Sequence, residues 1–252
     1  MNFVAWTPTH SAEDALLREI AKLSRSDPFV GAKIGSNALT QQLLTALYDE
    51  RGVHLEALLC ALGAIAGYSC QASVRAQAIA HGLPEAAFLT SVQAGDGKTY
   101  YFSDELSKLL AGSPYSVWAV AGGGTMDPGL AEIVKHTSAA VGTAEFATLR
   151  VAHYADELPL NYVRTFWPAL KPLIVSFCPN PEHWPVLVGL SIQAAINAGQ
   201  SALDRGPALR LVMEAAIPMS TIGLEVPSGH RRVRRRSRFS RPKPTARADV
   251  SA

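Results

Sequence analysis

Apolar side chains recur at the spacing of a helix through the first fifty residues. Two stripes of leucine and isoleucine make up this pattern: Leu16, Leu17, Ile20 and Leu23, and then Leu39, Leu43, Leu44 and Leu47. Each stripe would lie on one face of an amphipathic helix. Ser11 can cap the first helix through its hydroxyl, and Pro28 ends it because the residue before a proline is pushed out of helical geometry. The second stripe closes near Gly52.

A longer and more apolar helix is predicted from about Leu55 to Ala80, with Gly82 and Pro84 as its terminator. It contains six small residues that would let a neighbouring helix approach closely: Ala61, Gly63, Ala64, Ala66, Gly67 and Ser69. Its most apolar stretch, residues 57–70, is about 14 residues long, whereas a bilayer span needs roughly 20. We therefore expect a buried helix and no transmembrane span.

Residues 92–125 interrupt the helical pattern and predict a small insert of two strands. A tight turn at residues 94–97 feeds a first strand that reaches Phe102. A short capped helix over residues 103–110 comes next. Residues 115–121 are the candidate for the second strand, because they combine valine with aromatic side chains.

Helices return in the second half of the chain, over residues 128–141, 185–203 and 207–216. Two similar pieces, each a tryptophan followed by a proline, are interpreted as helix starts: Trp167-Pro168 and Trp184-Pro185. Proline costs nothing at the first helical position, because its missing N–H would be unbonded there anyway. Farther on, Pro218 and Gly223 disfavour regular helix, so the folded part is expected to end near Val226.

The charge of the chain is segregated. The last 25 residues, 228–252, hold nine basic residues and the single acid Asp249, a net charge of +8. The 14 basic and 20 acidic residues that remain give residues 1–227 a net charge of −6. A content of 48% hydrophobic and 17% charged residues is typical of a folded chain, but the tail has few large apolar side chains. The sequence thus predicts a mainly α, multi-helix globular domain over residues 1–227 and a disordered Arg-rich tail over residues 228–252.

The tail is the strongest functional signal in the sequence. Seven arginines are its candidate anion-binding residues: Arg231, Arg232, Arg234, Arg235, Arg236, Arg238 and Arg241. Arginine binds phosphate through a planar fork of donors, and each phosphate that is neutralised releases counterions. We expect an anionic partner, either nucleic acid or an acidic protein surface, including the acidic body of another copy. An anionic membrane would attract the same charges, and a solubilising tail without a partner is the alternative.

A glycine-rich loop is the second candidate site. It comprises Gly122, Gly123, Gly124 and Thr125, between a predicted strand and a predicted helix. Backbone N–H groups in such a turn can face an anion. The dinucleotide-binding pattern fails, however, because Asp127 stands where its last glycine should be. A rival hypothesis to the adaptor function is therefore an enzyme or small-molecule binder whose pocket joins this loop to one or more of His136, His153 and His183.

No complete catalytic or metal-binding pattern occurs in the sequence. Glu132 with His136, and His153 with Glu157, are spaced at i, i+4, whereas helical di-metal sites use i, i+3. We expect surface ion pairs or core-edge histidines there, and we predict no catalytic residue, no metal and no cofactor. The favoured function is a non-enzymatic helical binding or adaptor protein, with small-residue helices that suit a homo-oligomer.

The cysteines indicate a reducing compartment. Cys60 and Cys70 would lie about 15 Å apart along one helix, too far for a disulfide, and Cys178 is the only other cysteine. The first eight residues lack the basic region of a signal peptide. A cytoplasmic location is therefore expected.

Overall fold

A 26-residue helix lies at the centre of the fold. The structure, a computed structural model, describes residues 10–124, 128–150 and 157–224. The helices are α1 (His10–Leu23), α2 (Val30–Leu47), α3 (Leu55–Ala80), α4 (Asp104–Ser107), α5 (Val117–Val120), α6 (Pro128–Ala140), α7 (Pro159–Phe177), α8 (Trp184–Ala198) and α9 (Arg205–Thr221). The strands are β1 (Thr90–Gln93) and β2 (Thr99–Phe102). The predicted mainly α fold with one two-stranded sheet is confirmed.

Helix α3 is the core helix that the sequence predicts, with the predicted bounds. It packs most extensively against α9, and also against α8 and α7. By length and composition alone it is the one helix of the described residues that could cross a membrane, with a mean hydropathy of 1.5 over an 18-residue window. Because 89% of that window is buried inside the fold, its apolar surface already has protein partners.

Two glycines let α3 and α9 touch backbone to backbone. A Cβ added at Gly67 would lie 2.7 Å from the carbonyl carbon of Ala216 and 2.8 Å from its Cα. A Cβ at Gly63 would lie 3.0 Å from the Cα of Val212. Carbon atoms in contact normally stand about 3.5–4.0 Å apart. Any side chain at either position would therefore push the two helices apart, and the small residues of α3 do serve close helix packing.

The predicted strand over residues 115–121 is wrong. This segment contains α5, whose first turn is capped by Ser116: its hydroxyl accepts a hydrogen bond from the N–H of Ala119 at 3.3 Å. Val117 is fully buried, and Val120 packs where Gly189 of α8 leaves room. Packing against a neighbouring helix has overridden the β propensity of valine and tryptophan.

The second strand is β1, on the other side of the predicted turn. It pairs with β2 in antiparallel register, from Thr90 opposite Phe102 to Gln93 opposite Thr99. Gly97 has φ of 78°, in the left-handed region that glycine tolerates best. The turn at residues 94–97 and the strand after it are thus confirmed, and the turn closes a hairpin.

One of the two predicted Trp-Pro helix starts is wrong. Helix α7 begins at Pro159 and continues through Pro168 and Pro172 to Phe177. Its buried face persists past both prolines, with Leu170 and Ile174 almost fully enclosed, and this packing offsets the hydrogen bonds that proline cannot donate. At Trp184 the prediction is confirmed, because α8 begins there.

Helix α9 runs five residues farther than predicted, to Thr221, with Pro218 inside it. Beyond its end the chain is fixed to the hairpin: the N–H of Gly223 donates to the carbonyl of Thr99 at 2.8 Å. The side-chain amide of Gln71, on α3, donates to the carbonyl of Ser220 at 2.8 Å. The C-terminal end of the described chain is therefore held by both α3 and β2.

We predict that Gly67→Ala lowers the free energy of unfolding by at least about 2 kcal/mol, because the added methyl group overpacks the α3–α9 contact. Gly206→Ala, on α9, is the matched control, since a Cβ there meets no atom within 4 Å. It should leave stability unchanged or raise it by up to about 1 kcal/mol, through loss of backbone freedom in the unfolded chain. Urea denaturation of both variants tests this. Equal effects of the two substitutions would refute the close contact.

Candidate functional site

An apolar cavity of about 640 Å³ lies between the start of α4, helix α6 and helix α9. Cavities that hold small molecules in proteins measure about 300–1,000 Å³ and are lined mainly by apolar side chains. Six large side chains form much of its wall: Phe102, Leu106, Leu110, Val134, Met213 and Ile217. In size and lining, this apolar cavity matches a small-molecule site.

Local sequence explains one wall of the apolar cavity. Strand β2 ends at Phe102, and the hydroxyl of Ser103 accepts a hydrogen bond from the N–H of Leu106 at 3.1 Å, which caps α4. The helix then widens into a π-helical turn over residues 108–112. Such turns are rare and occur often at functional sites. The cap and the π turn together direct Leu106 and Leu110 into the cavity wall.

Helices α6 and α9 supply the other walls. Leu130 and Val134, four residues apart on α6, line the cavity together with Val141, which directly follows the helix. Met213 and Ile217, four residues apart on α9, are both buried and face the same space. Val134 is 46% exposed, so the cavity opens to solvent beside α6.

The polar atoms of the lining are mostly hydroxyl groups that are already bonded to their own helices. The hydroxyls of Ser107, Ser138, Ser220 and Thr221 donate to backbone carbonyls three or four residues earlier, at 2.7–3.2 Å. Asp104, at the start of α4, is the one side chain among the lining residues that is charged at neutral pH. The cavity therefore presents apolar surface together with a single carboxylate.

A small polar cavity of about 10 Å³ lies on the other side of Thr137, which is buried and lines both spaces. Its volume is at the lower limit for one water molecule. His136, Glu145, Arg150 and Glu214 contribute polar groups to its wall. This space is too small for a substrate.

Two residues of this wall, Arg150 and Glu214, belong to a network of four charged residues. Glu214 of α9 has a side chain only 3% exposed; it accepts a hydrogen bond from the backbone N–H of Arg150 at 2.8 Å. The side chains of Arg150 and Arg210 also approach it, at 3.4 and 3.5 Å. Both arginines reach the exposed Glu132 of α6, at 3.2 and 3.4 Å. The two positive and two negative charges cancel, which allows a carboxylate to be buried here.

The thiols do not form a nucleophilic site. Cys60, Cys70 and Cys178 are buried and free, and burial raises the pKa of the Cys60 and Cys178 thiols to about 12 and raises that of Cys70 as well. The thiolate is the reactive form of cysteine. Within the described ranges, no group of three His, Cys, Asp or Glu side chains is arranged to hold a metal ion.

The glycine-rich loop follows a helix and not the predicted strand. The N–H groups of Gly122 and Gly123 donate to the carbonyls of Ala119 and Trp118, at 3.0 and 2.8 Å. The guanidinium of Arg205 donates to the carbonyl of Gly122 at 3.0 Å. These two N–H groups close the end of α5 and are not free for an anion. Gly124 accepts from the Trp118 indole, and Thr125 lies outside the described residues.

The residues of the rival pocket are not joined in either cavity. His136 lines the small polar cavity. His183 instead packs against Phe29, with ring centroids 4.8 Å apart, and burial lowers its pKa. Neither the glycines of the loop nor His183 lines either cavity. His153 and the seven tail arginines lie outside the described residues.

Sequence reasoning missed the apolar cavity and Glu214. The one available signal was Glu214 itself, the sole acidic residue of α9, which lies in the apolar run from Leu211 to Ile217. Comparison of the chain with protein-family models, with curated proteins and with solved structures found no match. The apolar cavity and the charge pattern of the chain are therefore the two features that bear on its function.

We predict that Glu214→Gln lowers the free energy of unfolding by about 2 kcal/mol, because it removes charge-assisted hydrogen bonds from a buried site. Glu132→Gln is the control within the same network. Its carboxylate is 56% exposed, so the loss should stay below about 1 kcal/mol. Thermal and urea unfolding of both variants test the prediction. A larger loss for Glu132→Gln would contradict the assigned role of Glu214.

Proposed function

We propose that this protein is a non-enzymatic binding protein whose helical body holds a small apolar molecule. The observation that supports the proposal is the cavity of about 640 Å³ with apolar walls from α4, α6 and α9. Its lining combines large apolar side chains with hydroxyls already bonded to their own helices, and it offers no paired acid and base.

Burial of apolar surface would supply the affinity. Each buried methylene group contributes about 0.8 kcal/mol, so a ligand with fifteen of them would gain about 12 kcal/mol. Association costs at least about 4 kcal/mol in lost translational and rotational freedom. The difference corresponds to a Kd of about 1 μM, and binding experiments should cover the micromolar range.

The test blocks the opening of the apolar cavity. Val134→Trp places a large ring at an exposed position of its wall. Binding of the neutral fluorophore N-phenyl-1-naphthylamine should weaken at least about tenfold. Val175→Trp is the matched control, because Val175 is also exposed, at 39%, but lies on α7 and does not line the cavity.

The control should bind the fluorophore as the unaltered chain does. Failure of the unaltered protein to bind, or equal binding by Val134→Trp and Val175→Trp, would overturn the proposal. Circular dichroism of both variants checks that the helices are intact.

The uneven distribution of charge along the chain supports a second function. It is the contact with an anionic partner that the adaptor hypothesis assigns to the tail. We propose that the tail, with its net charge of +8 against −6 in the rest of the chain, attaches the protein to an anionic partner. Nucleic acid is the first choice, because arginine forks match phosphate geometry. The acidic body of another copy is the second, and it would produce a homo-oligomer.

We predict that the full chain binds duplex DNA or RNA and that its affinity falls as salt is added. The logarithm of the association constant should decrease linearly with the logarithm of the salt concentration. Substitution of glutamine for Arg234, Arg235 and Arg236 should reduce the slope by about 2.7 on DNA, since each phosphate contact contributes about 0.9. Residues 1–227 alone should not bind. Absence of binding by the full chain at moderate salt would reject nucleic acid as the partner.

Light scattering of the same samples tests the alternative partner. Self-association that disappears at high salt and in the glutamine variant would indicate contact between the tail and the acidic body of another copy. A monomer at every salt concentration would reject that alternative.

A further inference from the structure

The charge around the apolar cavity is one-sided. Asp104 is exposed and lines the cavity, so its carboxylate lies at the opening. No lysine, arginine or histidine is among the described residues that line the cavity. The ammonium group of Lys108 forms an ion pair with Glu105 at 2.7 Å and also interacts electrostatically with Asp104, without reaching ion-pair distance of it. The opening therefore carries a carboxylate that has no ion-pair partner within 4 Å among the described residues.

We propose that the ligand of the apolar cavity is an amphiphile with a cationic amine at one end, which pairs with Asp104. The inference rests on the proposed small-molecule function and specifies its ligand class. An apolar body would fill the space against Met213 and Ile217, and the amine would stay at the solvent-exposed opening. Such an arrangement avoids burial of a charge, which is costly without a partner.

Two electrostatic effects compete at this opening. The backbone at the start of a helix carries a partial positive charge of about +0.5, which favours anions. The full negative charge of Asp104 is larger in magnitude, and the charges of the neighbouring Lys108 and Glu105 cancel because the two side chains pair with each other. The net field therefore attracts a cation and repels a carboxylate, and a neutral alcohol is the reference between them.

The experiment compares three ligands of equal chain length: decylamine, decanol and decanoate. Each displaces N-phenyl-1-naphthylamine from the full-length protein at low ionic strength and pH 7. Decylamine and decanoate stay below their critical micelle concentrations, and decanol stays below its solubility limit. Exposed ion pairs change affinity by about 1.4- to 5-fold. We expect decylamine to bind about 2- to 5-fold more tightly than decanol, and decanoate to bind more weakly than decanol.

Two variants distinguish an effect of the Asp104 charge at the opening from an effect of the protein's net charge. Asp104→Asn should bring decylamine and decanol to equal affinity, with the cavity walls unchanged. Glu19→Gln removes the same charge from α1, where the side chain pairs with Lys22 and does not line the cavity. It should preserve the order of the three ligands.

The outcomes distinguish the inference from the function on which it rests. If the unaltered protein does not bind the fluorophore, the small-molecule function itself is wrong. If the fluorophore binds and none of the three ligands displaces it, the function stands and the amphiphile is overturned as its ligand. If all three bind with equal affinity, or decanoate binds most tightly, the function stands and the amine specificity is overturned. Persistence of the decylamine preference in Asp104→Asn would also overturn it.

Discussion

The contact between the backbones of α3 and α9 is the constraint on which the rest of the structure depends. Gly63 and Gly67 leave no side chain between the helices, so α9 lies against the carbonyl and Cα atoms of its neighbour. Dispersion contacts are individually small, but close packing along two helices sums many of them. The position of α9 then fixes everything attached to its other faces. A chain with larger residues at Gly63 and Gly67 would lose this geometry as well as stability.

The remaining faces of α9 build the candidate site. Val212 and Ala216 face α3, whereas Met213 and Ile217 face the apolar cavity, and Glu214 reaches the two arginines. A helix that is enclosed on all sides needs apolar residues all round or paired charges where it does not have them. One core helix thus joins the packing of the body, the wall of a cavity and a buried ion network. Function and stability are coupled here, because a substitution that moves α9 on one face also moves the residues on its other faces.

The sequence predicted the elements whose signals are local. Helix α3 and the hairpin turn were correct because apolar spacing and glycine positions specify them within a short segment. The strand predicted over 115–121 and the helix start at Pro168 were wrong, since packing of α5 on α8 and of α7 in the core decided them. The apolar cavity was missed for the same reason: its walls come from segments more than a hundred residues apart. Its exposed valine, Val134, resembles any other position on an amphipathic helix.

The buried carboxylate of Glu214 also determines where α9 stops along its own axis. The hydrogen bond from Gln71 to the carbonyl of Ser220 already opposes sliding of α9 along α3, and the ion network adds a second restraint. A displacement of one helical turn is 5.4 Å, which would carry Glu214 out of reach of Arg150 and Arg210, now 3.4 and 3.5 Å away. The charge would then be stranded among apolar groups at a cost of several kcal/mol. The ion network therefore adds to the close packing on α3 and fixes the position of α9 along its own axis as well as its distance from α3.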